Sequence, residues 1–311
     1  MSAKSIASCR VIRDIRKNKY LYLLLLPAVT YTFLFGYMTL PYLLIAFQRF
    51  TIGGGLLDAE WIGLENFRFF FLSPHGLRVT FNTFFLNALF LGLGTLFSVT
   101  MAILLNEFRG KFLKRVAQSV MIMPFFISWV IASYIIFSLF SFNLGIMNSM
   151  LTSLGFSPIN WYTNPQYWRI ILVCLNIWRF GGINTIIYLA AITGIDSEIY
   201  EAGRIDGASR WQQIRFLTLP ILLPTISILV LLGVGRVFFG DFAMIYSIIR
   251  DNGILFPTVD VIDTFVFRTL RQTGNFSWSA AIGLYQSTLG LILIFITNKL
   301  VKKFFPEGAL F

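Results

Sequence analysis

The sequence predicts an all-α polytopic membrane protein of six transmembrane helices with both termini in the cytoplasm, and three observations carry that prediction. Hydrophobic residues make up 57% of the 311 residues and charged residues only 13%, a balance foreign to water-soluble domains of this length. The apolar residues gather into runs near or above the ~20 residues that cross a bilayer. Lysine and arginine concentrate in alternate connections between those runs, the asymmetry that orients membrane proteins.

Residues 1–20 form a basic arm, with Lys4, Arg10, Arg13, Arg16, Lys17 and Lys19 against Asp14. The first apolar run, 21–47, is too long for a signal-peptide core and lacks a small-residue cleavage site, so it reads as an uncleaved span. Pro27, Gly36 and Pro41 predict bends in it, which membrane helices accept where neighbours satisfy the freed carbonyls. A mixed-charge segment with a turn at Thr51-Ile52-Gly53-Gly54-Gly55 leads to the second span, 79–105, and to a basic connector ending at Arg115. The third span is 116–140, and the connection after it, up to Trp168, has neither Lys nor Arg. Spans four, five and six are 169–192, 221–242 and 279–300, the last beside Lys299, Lys302 and Lys303 and followed by a tail, 304–311.

The arm, the connector around Arg109, the stretch with Arg204, Arg210 and Arg215, and the tail share one side, expected to be cytoplasmic. Arg49, Arg68, Arg78, Arg250, Arg268 and Arg271 are spread over longer loops on the other side. The net charge of +11 is therefore topological and gives no reason to expect nucleic acid. Cys9 and Cys174 have no disulfide or metal-site spacing, and His75, between Pro74 and Gly76, reads as a turn residue. Without a buried Ser, His and Asp constellation, an enzyme reading has nothing to do the chemistry.

One polar island, 194–220, interrupts the apolar sequence. Asp196 can cap a helix with Glu198 in its first turn, both favourable at the positive end of the helix dipole. Ile199, Ala202 and Gly203 then share one face, and Glu198, Glu201 and Arg204 another. Asp206-Gly207 is a turn signal, and a second short helix follows with Trp211, Ile214 and Leu217 expected on its buried side. Pro220 and Pro224 mark the joint to the fifth span.

Glu201-Ala202-Gly203, then Gly207, then Leu217-Thr218-Leu219-Pro220 resemble the EAA loop of ABC importer permeases, with the family's spacing kept. Gly203 stands where a second Ala is usual and Leu217 where Ile is usual; Gly203 costs the helix ~1 kcal/mol of propensity but keeps a close approach open. Tyr200, Ile205-Asp206-Gly207-Ala208 and Thr218-Leu219-Pro220 narrow the resemblance to the carbohydrate type. Ile62-Gly63-Leu64-Glu65-Asn66-Phe67 is similar to a signature that follows the first span of sugar permeases. Lys17 to Tyr22, Phe126 to Val130, Ile187 to Ile192, Asp260 to Thr264 and Ala281 to Ser287 resemble the LplB-type subgroup, linked to uptake of aldouronates and other oligosaccharides or complex glycans.

The resemblance implies the type I, MetI-like permease fold: residues 21–303 as the transmembrane domain, the loop at 194–220 as the coupling element, and the first helix wrapping a neighbouring subunit. It further implies a second permease subunit, different but related, two ATPase subunits, and an extracellular solute-binding protein, in the cytoplasmic membrane of a prokaryote. The chain lacks the Gly-x-x-x-x-Gly-Lys-Ser/Thr phosphate loop. It is expected to bind no cofactor, with ATP and Mg on the partner ATPase. Tyr200, Glu201, Ala202, Gly203, Arg204, Asp206, Gly207, Ala208, Leu219 and Pro220 are the residues expected to serve ATPase coupling.

A substrate path is expected from polar residues inside the spans, where an ionised side chain normally faces protein or a wet cavity. Arg179 lies midway along the fourth span with Trp178, Asn184 and Tyr188; Arg236 and Asp241 near the end of the fifth are placed to pair; Tyr285 and Gln286 belong to the sixth. Aromatic faces and hydrogen-bonding groups bind sugars, and acidic sugars favour an arginine. Arg179 and Asp241 equally fit a structural role tying helices together. The loops around Trp161 and Asp263 are candidate contacts for the binding protein. The competing readings are an ABC permease for a peptide or amino acid and, further off, an ion-coupled secondary transporter, which would show buried carboxylates or inverted repeats.

Overall fold

The computed structural model describes residues 17–51, 53–56, 58–108 and 110–304. Residues 1–16 of the basic arm, with Cys9, the connector's Arg109 and the tail beyond residue 304 lie outside the described residues. The first span comprises helix α1 (Lys19–Thr32), a π turn (Phe33–Tyr37) and a 3-10 segment (Leu40–Phe47). Pro27 is carried inside α1, Gly36 falls in the π turn, and Pro41 opens the 3-10 segment, where a missing N–H breaks no bond. No residue of α1 is buried.

Strands β1 (Gln48–Arg49) and β2 (Glu60–Trp61) pair antiparallel, Gln48 opposite Trp61, and helix α2 (Glu65–Leu72) follows. Here the motif at Ile62–Phe67 acquires a physical reason. Gly63 takes the left-handed conformation (φ 61°), and the buried Asn66 donates from Nδ2 to the carbonyls of Ala46 (2.9 Å) and Gln48 (3.0 Å). Glycine turns the chain and asparagine fastens α2 to the end of the first span.

Helices α3 (Gly76–Glu107) and α7 (Pro165–Thr193) pack along their lengths and form the spine of the bundle. Between them lie α4 (Lys111–Ile122) with a 3-10 turn (Met123–Phe126), α5 (Trp129–Phe140) and the short α6 (Ile146–Ser153). The third span, expected at 116–140, is made of a pair of helices bent by 100°. Pro124 withholds an N–H there, and Ser128 restarts the helix by accepting a hydrogen bond from the Ile131 N–H (3.3 Å).

The polar island folds as α8 (Ser197–Ile205) and α9 (Arg210–Gln213), joined through a π turn (Ile214–Thr218) to α10 (Leu219–Val234). The fifth span was expected at 221–242. Its continuous helix starts earlier, at Arg210, because the wide π turn accommodates Pro220 without ending the helix, and stops at Val234, short of the expected end. The chain unwinds over Gly235–Asp241 and continues as α11 (Phe242–Ile249), α12 (Phe256–Val259), α13 (Ile262–Thr273) and α14 (Phe276–Phe304). Five helices among the described residues are long and apolar enough to cross a membrane, or six if the bent pair is one span.

Three apolar clusters hold the bundle. Leu86, Trp129, Trp168, Met244 and Leu255 centre one; Ala102, Tyr188, Ile192 and Leu222 a second toward the polar island; Phe70, Val79 and Ile282 a third under α2. Near Trp168 a polar lattice ties α3, α7, α12 and α13. Arg169 donates to Asn82 Oδ1 (3.0 Å) and the Thr258 carbonyl (3.2 Å), Asn82 donates to the Pro257 and Asp260 carbonyls (3.2 Å each), and Asp260 pairs with Arg268 (2.5 Å).

Candidate functional site

Two features stand out: a helical hairpin at one end of the bundle and a cavity at the break in the fifth span. In the hairpin, Asp196 caps α8 by accepting the Glu198 N–H (3.0 Å), and Ser209 with Gln212 forms a capping box on α9. Gly207 holds φ at 80°, the left-handed value that lets the Ala208 N–H return to the Gly203 carbonyl (2.9 Å). Gly203 faces Leu217, whose Cδ1 would lie 3.1 Å from any added Cβ, so a small residue sets the spacing of the two helices. Tyr200 and Thr218 join hydroxyls at 3.0 Å, the buried Gln213 donates to the Ala208 carbonyl (3.0 Å), and Arg210 reaches Glu107 at the end of α3 (3.7 Å).

The hairpin is tied together by hydrogen bonds but buries little. No residue of α8 is buried; Glu201, Ala202, Arg204, Asp206, Gly207 and Pro220 are exposed, and Ala208 and Leu219 half-buried. Trp211 was expected on the inner side of the second helix; it is 68% exposed, because Gln213 and the π turn direct Thr218 inward instead. With Ile205 (87% exposed) and Phe216 (64%), Trp211 gives this end of the bundle bulky apolar side chains open to the outside.

The cavity, of about 910 Å³, lies between α3, α7 and the unwound Gly235–Asp241 stretch. Asn87, Asn176 and Asn184 supply amides to its wall, Phe90, Phe180 and Phe239 aromatic surface, and Arg236 a cation. Arg236 is exposed and has no acidic partner among the described residues. The expected pairing of Arg236 with Asp241 is absent, because Asp241 is already engaged: its Oδ2 accepts from Trp129 Nε1 (2.9 Å) and its Oδ1 from the Met244 N–H (2.9 Å), capping α11.

Arg179 lies behind the cavity wall, its guanidinium 4.4 Å from the Trp129 ring centroid and 5.4 Å from that of Phe180. Its buried Nε and Nη1 have no hydrogen-bond acceptor, a costly state for a cation in an apolar bundle. The other polar span residues are placed elsewhere. Trp178 is 41% exposed beside Met123 and Pro124, and Tyr188 is buried in the cluster with Ile192. Tyr285 packs on Phe70 and Phe71 with its hydroxyl 3.4 Å from Thr80, away from the cavity.

Gln286 is also off the cavity. Only 5% exposed, it donates from Nε2 to the Phe238 carbonyl (2.7 Å) and to Asp263 Oδ2 (3.0 Å). Asp263, considered above only as a loop residue, accepts the Gly240 N–H on the same oxygen (2.6 Å). Burial raises its pKa above the ordinary carboxylate value, against the pull of the Gly240 and Gln286 donors. In the loop around Trp161 the half-buried indole donates to Asn148 Oδ1 (3.1 Å), while residues 152–158 are exposed. Asn87 and Asn176 were missed on the sequence, although an amide inside an apolar span is a signal in itself.

A family model described as "Binding-protein-dependent transport system inner membrane component" matches residues 94–305. The chain is 36% identical over 299 residues to the polygalacturonan/rhamnogalacturonan transport system permease protein YteP of Bacillus subtilis (strain 168), covering 96% of this chain and 92% of that one. It is 35% identical over 294 residues to Protein LplB of the same organism, covering 94% and 92%. Among solved structures it is similar to a chain of a bacterial ABC transporter involved in the import of the acidic polysaccharide alginate, with TM-score 0.87, 30% identity and coverage of 94% and 99%. A chain of the bacterial alginate ABC transporter in complex with alginate pentasaccharide-bound periplasmic protein matches at TM-score 0.87 and 29% identity, covering 95% and 98%.

Proposed function

We infer the working of this chain from the premise that it belongs to the family of binding-protein-dependent transport system inner membrane components, as a sugar or oligosaccharide ABC importer permease. The hairpin of α8 and α9 is the coupling element. It sits in a groove of a separate ATPase subunit, where ATP and Mg are held, with Glu201 meeting a basic ATPase residue and Ile205, Trp211 and Phe216 filling apolar ground. The carrying observation is that α8 buries none of its residues although three hydrogen bonds tie it to its neighbours and a fourth, from Gln213 to the Ala208 carbonyl, closes the turn beside it. A stiff element with an uncovered apolar and charged face is a handle for a partner.

Closure of the ATPases pushes the hairpin, and the push travels along the continuous helix from Arg210 to Val234 and ends at the break. The cavity there is the substrate path: amides and aromatic faces for sugar rings, with Arg236 supplying a cation for an acidic glycan. Such a broken helix beside a cavity is a recurrent way of building a transport site. Alternating exposure of that cavity to the two sides of the membrane moves the sugar. The sign of the Lys and Arg distribution supports a cytoplasmic hairpin and cytoplasmic termini. A second, related permease, two ATPase subunits and an extracellular binding protein complete the machine.

The test is to purify the transporter with its ATPase and binding protein and measure which oligosaccharides stimulate ATP turnover. Stimulation by a uronate-containing oligosaccharide, lost in Arg236→Ala, is expected. Stimulation only by neutral sugars, with Arg236→Ala behaving as wild type, removes the cation from the path.

A further inference from the structure

We propose that Asp263 and Gln286 are positioning residues for transport: together they clamp the unwound stretch Gly235–Asp241 and so fix the wall of the cavity against which the sugar is bound. The proposal rests on reading that cavity as the substrate path. Most of the fifth span's contribution to the wall comes from this stretch, namely Gly235, Arg236, Val237, Phe239, Gly240 and Asp241. An unwound segment packed among helices has backbone groups that no regular helix satisfies.

The clamp satisfies two of them with side chains from two other elements. Gln286, on the last span, donates to the Phe238 carbonyl at 2.7 Å, and Asp263, on α13, accepts the Gly240 N–H at 2.6 Å. The two side chains lock one another at 3.0 Å. Gly240 is seated so closely that an added Cβ would lie 2.8 Å from Val261 Cγ2 and 2.9 Å from Asp263 Oδ2, so the backbone cannot drift toward α13. On the other side Asp241 is held to Trp129 and to the Met244 N–H.

Neither Asp263 nor Gln286 lines the cavity. Their influence on the sugar passes through the backbone, and the side chain they place is that of Arg236, four residues before Gly240. Losing either changes where Arg236 stands while leaving every sugar-facing group present.

The experiment uses the assembled transporter with its ATPase and binding protein, carrying Gln286→Met or Asp263→Asn. Gln286→Met keeps the volume and removes both donated hydrogen bonds; Asp263→Asn keeps an acceptor for Gly240 and turns a donor toward Gln286. ATP turnover is measured against galacturonate, alginate and arabinose oligosaccharides. The expected result is a half-saturating concentration raised by about five- to tenfold, the factor one lost buried hydrogen bond carries, with maximal turnover retained. Independently of any sugar, nitroxide labels at Asn184→Cys and Arg236→Cys, with Cys9 and Cys174 replaced by serine, report the wall directly. Their dipolar broadening is expected to weaken in both variants. Unchanged broadening overturns the proposal, as does a fall in maximal turnover without a change in half-saturation. Failure of both variants to assemble assigns the pair a folding role only and overturns it too. If no oligosaccharide stimulates the wild type, the glycan reading of the cavity fails while the labels still decide the clamp.

Discussion

Trp129 donates its indole N–H to Asp241 Oδ2 at 2.9 Å, joining the start of α5 to the end of the unwound stretch in the fifth span. The same indole ring supports the Arg179 guanidinium at 4.4 Å. One aromatic side chain therefore holds both a carboxylate and a cation within the bundle. Trp129→Phe keeps a ring but removes the N–H, leaving a half-buried carboxylate oxygen short of a donor at a cost of about 1 kcal/mol. The assembled complex should unfold several degrees earlier on heating, and an unaltered midpoint would show that water or lipid headgroups satisfy Asp241 equally well.

Arg179 tests the line between structure and transport. Its buried Nε and Nη1 lack acceptors, and its neighbour Phe180 forms part of the cavity wall. Arg179→Ala should lower uptake of labelled oligosaccharide at limiting substrate. Uptake equal to wild type, at equal amounts of assembled protein, removes Arg179 from the path.

At Gly182, α7 lies directly against the backbone of α4. A methyl group there would overlap the Met121 carbonyl oxygen, and the obstacle is backbone and not a side chain that can swing away. Gly182→Ala should therefore destabilise the bundle by about 1–3 kcal/mol and lower the yield of assembled transporter, read by size-exclusion chromatography. Gly94→Ala is the control, since a Cβ at Gly94 meets nothing within 4 Å.

Asp260 and Arg268 form a pair at 2.5 Å with side chains only 2% and 14% exposed. Asp260 also accepts from the Thr264 hydroxyl (2.8 Å), and Arg268 lies 4.0 Å from the Phe256 ring centroid. Removing one partner strands the other charge, so Asp260→Leu should cost about 3–5 kcal/mol. Asp260→Leu combined with Arg268→Met should recover most of that loss, as measured by thermal unfolding of the complex; no recovery would mean that the lattice around Asn82 needs the charges themselves.

Glu201→Lys and Gly207→Asp address coupling. The first reverses an exposed charge, and the second forces a side chain into a left-handed position at about 1 kcal/mol or more. Either change should reduce sugar-stimulated ATP turnover, by roughly tenfold or more for a lost charged contact, or prevent the ATPase from assembling. Full assembly with full stimulated turnover in both would reject the hairpin as the coupling element.

The hairpin was readable along the chain almost residue by residue. Asp196 as cap, Gly207 as turn and Gly203 as close contact depend on neighbours within a few positions, where backbone preference and side-chain size act directly. Trp211 was misplaced because its exposure is decided by the π turn after Gln213, a distortion that apolar spacing does not announce. The bend in the third span and the helical bounds of the fifth went unread for a related reason: a run of apolar residues looks alike whether straight, bent at Ser128 or unwound from Gly235, since membrane solvation rewards hydrophobicity and not direction.

The cavity residues divide the same way. Arg236 and Asn184 could be picked out as polar groups in apolar surroundings, yet Asp241, Tyr285 and Gln286 carry the same signature and have their polar groups taken up in holding the bundle. What separates them is partnership across long stretches of chain: Trp129 for Asp241, Thr80 for Tyr285, the Phe238 carbonyl for Gln286. Composition and local spacing were enough to specify a membrane bundle, its approximate spans and its helical hairpin, because burial in lipid and turn formation are short-range preferences. Which polar groups are left facing the cavity was decided by packing alone, because a buried polar group is satisfied by whatever the fold brings within hydrogen-bond reach, however distant in the chain.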